Sequence, residues 1–379
     1  MARHISDGSR RGLAPWVIVT AVAVVVIAGA TTAYLLIVNG SDNAANAACT
    51  GQVVLPITTS VGATSAIRSA AAGFDATSPS ARSTCVITEV TEMAGDQAAQ
   101  ALSSNWLTGP GPAPSVWAPT SAADLTALEA TSSAMTAGRD PDPMAGSPVV
   151  LAVRAQDGQA LSSLTWTSLP TAAGPAGTAV LPAGDHLIVA LPEPVANRAT
   201  SYALQSVLAT GATPVDAAAV TAAAAQLDAL ANAGPPIQPA TTNDALTQLA
   251  GGQGGFTAVP VVESELAAFT ATNPGANLVA VHPAGPTVGD ELYSVPLTDQ
   301  WTTPTLREAA AGFLAYLRSP AGQQFLVDND LRVTAGTAAT VTTQADAPDV
   351  STAVQFLPDG GPAVATALAR AIGATPTTG

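Results

Sequence analysis

The chain has 379 residues, 27 acidic against 12 basic side chains, a net charge of −15 and two cysteines. That length supports two globular lobes or one large domain with a real core, and it excludes a disulfide-stapled miniprotein. No basic stripe is available to neutralise a phosphate backbone, so nucleic acid is not an expected partner. All twelve basic residues are Arg, and a chain without Lys cannot use Schiff-base catalysis or a P-loop lysine. With 47% hydrophobic residues and only 4% aromatics, the composition predicts Ala- and Val-rich helices and strands rather than a disordered chain.

Leu13 to Val38 carries no charge and is longer than the roughly 20 helical residues that span a bilayer core. Arg3, Arg10 and Arg11 precede it, which by the positive-inside rule predicts a cytoplasmic N-terminus, a signal anchor over 13–38, and the remainder of the chain outside the membrane. The alternative is a cleavable signal peptide, since Ala45-Asn46-Ala47 resembles a small-residue cleavage site. The apolar run exceeds the about 7 to 15 residues usual for such signals, so an uncleaved anchor is the reading adopted. Residues 39–48 read as a linker.

Beyond the linker, Val53 to Ile57 is a buried-strand run, and Val61 to Phe74 has the spacing of a helix, with Thr59 or Ser60 as its cap. Val86 to Val90 is the next strand. Cys49 precedes the first strand and Cys85 opens the next, so parallel neighbours would bring the two cysteines together in a disulfide. The bridge would close a loop of about 36 residues and contribute about 3 kcal/mol; a zinc or redox pair lacks further ligands or a CxxC spacing. Ala98 to Trp106 reads as a helix, Ser115 to Ala118 as a short strand, and Ser121 with Asp124 as a capping-box-like start to another helix. Pro148 to Arg154 and Leu187 to Leu191 read as strands. Tyr202 to Leu208 begins a helix, and Asp216 to Ala233 reads as one long alanine helix. Gly251 to Gly255 lacks a GxGxxG register and joins a helix to a strand, so it is a connection and not a phosphate loop. Val259 to Val262, Leu278 to His282 and Glu291 to Leu297 are strands, with Asp290-Glu291 in a turn. Thr303-Pro304 and Ser319-Pro320 open two helices, each with Pro at the first helical position. A Thr-, Ala- and Pro-rich tail follows over 336–379, with one weak helix from Pro362 to Ile372.

The alternation of strands and helices predicts an α/β fold with largely parallel strands. The segments VVLPITTSVGATSAIRSAAAGF, SVWAPTSAADLTAL, GSPVVLAVR, LIVALPEPVANRATSYAL and AVPVVESELAAF, and above all TLREAAAGFLAYLRSPAGQQFLVDNDLR, resemble bacterial extracellular solute-binding proteins of the two-lobed periplasmic type. The resemblance covers about residues 50 to 335. It looks like the binding-protein-like region of actinobacterial membrane-anchored envelope proteins, a region that often precedes a von Willebrand factor A domain. Such a domain needs a DxSxS metal site, and Asp349-Val350-Ser351-Thr352-Ala353 has Ala for the second Ser, so none is expected here.

The resemblance implies lobe 1 over 49–150 and 278–335, lobe 2 over 151–277, and a small-molecule ligand between them, delivered to an ABC-type permease. Ligands in open α/β sheets sit beyond the carboxyl ends of strands, which points to Thr59, Ser60, Thr120 and Ser121 from one lobe and Asn197, Arg198 and Glu263 from the other. Hydroxyls at helix starts suit an anion, but they are equally ordinary N-caps, and Glu263 would repel one, so the ligand's charge stays open. The alternative is an envelope interaction or assembly module that keeps the fold and binds no solute. Catalysis has little to work with: His186 and His282 have no His or Cys partner nearby in sequence, no GxSxG, SxxK or HExxH motif occurs, and no cofactor or metal is expected.

Overall fold

The computed structural model describes residues 49–136, 143–211, 213–333 and 356–374. The expected anchor over 13–38 and the linker over 39–48 lie outside the described residues. Among the described residues no helix is long and apolar enough to cross a membrane.

The first sheet is built on β1, Gln52–Thr59. It pairs in parallel along its whole length with β3, Thr84–Glu92, from Gln52 opposite Cys85 to Thr59 opposite Glu92. That register sets the two cysteines side by side, and Cys49 and Cys85 form the disulfide with Cα atoms 5.3 Å apart. A short β2, Ser80–Ala81, flanks β3, while β4, Val116–Ala118, flanks the other side of β1. Against this sheet packs α1, Thr64–Ala76, whose Ile67, Ala70 and Phe74 recur at helical spacing and are buried. Phe74 meets Phe313 edge to face, with ring centroids 5.5 Å apart. Phe313 belongs to α9, Pro304–Leu317, which with α10, Pro320–Val327, closes the lobe. Thr303 and Ser319 cap these two helices by accepting from Leu306 and Gly322 N–H, and Pro occupies the first helical position of each. The remaining helices of this lobe are α2, Gly95–Ser103, and α3, Ala122–Ser132.

The second sheet centres on β5, Ala145–Arg154, every residue of which is buried except Arg154. Its first half pairs antiparallel with β8, Thr287–Leu292, and β10, Arg332–Val333. Its second half pairs antiparallel with β6, Ala258–Val262, and β7, Leu278–Val281. Lobe 2 packs α4, Arg198–Leu208, and α5, Ala217–Ala222, with α6, Ala224–Asn232, around a core that includes Leu151, Trp166, Leu187 and Leu204. It also carries α7, Thr242–Ala250, and α8, Glu263–Thr272.

Several elements differ from the sequence reading. The expected alanine helix over Asp216 to Ala233 is two helices broken at Ala223, whose ψ of 6° leaves the helical region. Val220 serves the first helix and Leu227 with Leu230 the second, so each turns its own apolar residues inward. Leu187 to Leu191 is extended but joins no ladder, touching the sheet through one bridge from Val189 to Ala258. The run from Glu291 to Leu297 is divided between β8 and β9, Val295–Pro296, which lie in different sheets. Asp290 and Glu291 are therefore buried strand residues and not a turn.

The C-terminal segment is part of the folded body. Phe356–Leu357, β11, pairs in parallel with β8, and Gly361–Ala371 forms α11. Leu357, Val364 and Leu368 are buried in the lobe 2 core. The Ala- and Thr-rich composition of the tail concealed this apolar stripe.

Candidate functional site

A cavity of about 460 Å³ opens where three segments of the fold meet. Lobe 1 contributes Ser60 and Val61 after β1, Ala94 to Asp96 at the start of α2, and Thr120, Ser121, Ala123 and Asp124 at the start of α3. From lobe 2 come Pro194, Val195, Arg198, Ser201 and Tyr202, and the C-terminal segment supplies Asp359, Gly361, Pro362 and Ala365. A larger hollow of about 600 Å³ is lined only by lobe 2 residues around α4, α7 and α8, so it is a groove on that lobe rather than a site between lobes.

The predicted site residues separate into two groups. Ser60, Thr120, Ser121 and Arg198 line the cavity between the lobes. Ser121 is also the N-cap of α3, accepting from Ala123 N–H at 3.1 Å. Ser60 is not a cap: α1 starts four residues later, at Thr64 behind Ala63, with no side-chain cap. Its Oγ is buried without a hydrogen-bond partner among the described residues. Thr59 is fully buried and donates to Ala118 O at 3.2 Å, tying β1 to β4. Asn197 donates to Glu193 O and Ala240 O and accepts from Thr242 N–H, which pins the start of α4 to the start of α7. It lines the lobe 2 groove instead.

Glu263 is removed from the ligand set by its own partners. Arg332 Nε donates to its Oε2 at 2.7 Å and Arg332 Nη2 to its Oε1 at 2.7 Å. His282 Nε2 lies 2.6 Å from the same Oε1. Burial pushes this carboxyl up, but the hydrogen bonds from His282 and Arg332 outweigh it and hold Glu263 below its ordinary value. His282, without a partner in the sequence reading, thus joins an ion cluster that ties β6, β7 and β10 together across β5.

Arg198, at the first position of α4, sits where a helix dipole disfavours a cation. Its Nη2 lies 2.6 Å from Glu265 Oε1 and 3.0 Å from Asp290 Oδ2, so two carboxylates compensate it. Burial works against the charged guanidinium, and Asp290 and Glu265 override it and raise its pKa. Asp290 is raised from 3.8 to about 6, chiefly by burial, with Arg198 opposing. Tyr202 donates to Asp290 Oδ1 at 3.1 Å, and burial pushes that phenol well above its ordinary value. Gly62, with φ of +97°, brings the loop after β1 against this pair, and a Cβ there would lie 2.7 Å from Arg198 Nη2.

Sequence reasoning missed the acidic side of the cavity. Asp124 has its pKa raised from 3.8 to about 7 by burial first, then by the charges of Asp96, Asp359 and Asp290. Asp124 was legible only as a helix-start residue, and nothing in the sequence pointed to Asp359. Among the described residues no three His, Cys, Asp or Glu side chains converge as a metal site.

With this geometry in hand, the class of protein is defined: residues 55–332 match the family of bacterial extracellular solute-binding proteins, and the chain belongs to it. Among curated sequences it is 26% identical over 333 residues to an uncharacterized protein of Mycobacterium tuberculosis strain H37Rv, covering 84% of this chain. The chain spans about half, 49%, of that relative's length. Solved structures share the two-lobed α/β fold. A Bordetella ferric binding protein aligns with a TM-score of 0.56 at 14% identity, covering 85% of this chain and 97% of that one. The sulfate-binding protein SubI of Mycobacterium tuberculosis H37Rv aligns at 0.51 and 17%, covering 85% and 96%.

Proposed function

We propose that the protein is a membrane-anchored extracellular receptor that captures a small solute in the cavity between its lobes and presents it to an ABC-type permease. The observation that carries this reading is the Ser60 hydroxyl, buried, unpartnered among the described residues and placed at the end of the central strand where the cavity begins. A buried polar group without a partner costs about 1–3 kcal/mol, a cost that a bound solute removes. Family membership supports a binding function, and the apolar run over 13–38 with its preceding arginines supports the anchor. The solved relatives named for ferric ion and sulfate share the fold alone at these identities, so the ligand is read from this chain's own residues.

A second reading keeps the fold as an envelope assembly module without a solute. It draws on Arg198, already neutralised by Asp290 and Glu265, and on the C-terminal segment filling one side of the cavity. Thermal melting of the full chain in detergent against neutral, cationic and anionic solutes separates the two. A receptor gains about 2.7 kcal/mol at 100 times the dissociation constant, read as a rise in melting temperature for one class of solute. A melting temperature indifferent to all three classes contradicts the receptor and favours the module.

A further inference from the structure

We infer that the cavity takes a small organic cation, its ammonium or guanidinium group held between Asp124 and Asp359 and donating to the Ser60 hydroxyl, with the C-terminal segment as an added third wall. The inference rests on the receptor reading above and adds the class of ligand. Three carboxylates line the cavity, those of Asp96, Asp124 and Asp359, and none of them has an ion-pair partner among the described residues. The one cation lining it, Arg198, is held by Asp290 and Glu265. Among the described residues the cavity is left without a free compensating cation, and at Asp124 burial first, then the charges of Asp96 and Asp359, raises the carboxyl.

An oxyanion would meet the carboxylates of Asp96, Asp124 and Asp359 there. Four helix starts border the cavity: α2 and α3 carry Asp96 and Asp124 in their first turns, the start of α11 donates Gly361 N–H to Asp359 Oδ1 at 3.1 Å, and α4 opens on Arg198, already held by Asp290 and Glu265. A bare metal ion is also a poor fit, because the carboxylates do not converge as a metal site. A polyatomic cation carries several N–H donors and can meet carboxylates that do not converge on one point. Ser60 Oγ marks where its N–H groups would point: a Cβ on Gly95 would collide with the Asp124 carboxylate and come within 3.1 Å of Ser60 Oγ, so hydroxyl and carboxylate share one corner of the cavity, kept open by a glycine.

Asp359 is built into the site although it lies beyond the family match, which ends at residue 332. Gln205 Nε2 donates to Asp359 Oδ1 at 2.8 Å and Gly360 N–H donates to Gln205 Oε1 at 2.8 Å, a two-bond clasp from α4. The pairing of β11 with β8 holds the segment upstream, and Gly361 lies against Ala123 of α3, 3.2 Å from where its Cβ would be. The segment therefore spans both lobes at the edge of the cavity.

The test is titration calorimetry on the full chain in detergent with putrescine, agmatine and choline, and with sulfate and glucose as comparators. Binding of at least one of the three cations is expected, weakened about tenfold or more by Asp124→Asn and by Asp359→Asn, the size of one lost charge-assisted contact. Asp228→Asn, on the exposed side of α6, is expected to leave affinity unchanged, and circular dichroism of each variant checks the fold. Binding of sulfate or glucose that survives both substitutions overturns the cation inference and leaves the receptor reading standing. Silence from every probe overturns both.

Discussion

Replacing Asp124 with Asn removes a carboxyl whose ionisation the fold opposes. Burial, then Asp96, Asp359 and Asp290, raise that group from 3.8 to about 7. Between those values the folded protein holds a proton that the unfolded chain releases, so stability falls as pH rises from about 4 to about 7. At about 1.4 kcal/mol per pH unit the rise sets an upper bound near 4 kcal/mol. The side chain is only half-buried, so solvent screening reduces this to about 2 kcal/mol. Asparagine cannot ionise, and Asp124→Asn is therefore expected to be more stable than wild type by about 2 kcal/mol at pH 8 and equal to it near pH 4. Calorimetric melting of both proteins across that range without ligand gives the difference directly, about 3 °C at the alkaline end. A difference that is flat with pH, or a variant less stable at pH 8, would refute the claim that the fold opposes ionisation of Asp124.

Glu263→Gln leaves Arg332, 5% exposed at its side chain, without its buried counter-charge, and is expected to cost about 3–5 kcal/mol at pH 7. Because Glu263 is held below its ordinary 4.5, this contribution is complete above that value and fades as pH drops further into acid. Melting of the variant at pH 7 and pH 3 should show the gap closing. Replacing both Cys49 and Cys85 with Ser opens a loop of 36 residues and is expected to lower stability by about 3 kcal/mol, read by urea unfolding; an unchanged midpoint would count against the bridge. Alkaline carbonate extraction of cells expressing the full chain should leave it in the membrane pellet. Release into the supernatant would exclude the anchor over 13–38.

What the sequence made legible was local or repeated. The apolar runs of β1 and β3 fixed their strands, and their parallel pairing placed the cysteines. Pro after Thr303 and after Ser319 marked two helix starts to the residue. Ser60, Thr120, Ser121 and Arg198 were reached by the rule that ligands lie beyond strand ends, and these four line the cavity. The acidic face was not legible, because Asp124 and Asp359 lie far apart in the chain and meet only through the docking of α11. Glu263 and Arg332 are likewise distant, and a strand-end carboxylate looks the same in sequence whether it faces a ligand or a buried guanidinium. Asn197 shows the same ambiguity from the other side: its side chain is spent on tying the start of α4 to the start of α7.

The central claim is that a small solute occupies the cavity between the lobes. Native mass spectrometry of the full chain, purified in detergent without unfolding and compared with Ser60→Val prepared in the same way, tests it most directly. The account predicts that wild type carries an additional small mass, released on unfolding, and that the variant has lost it. The same bare mass for both proteins, unchanged when the solute panel is added, would contradict it.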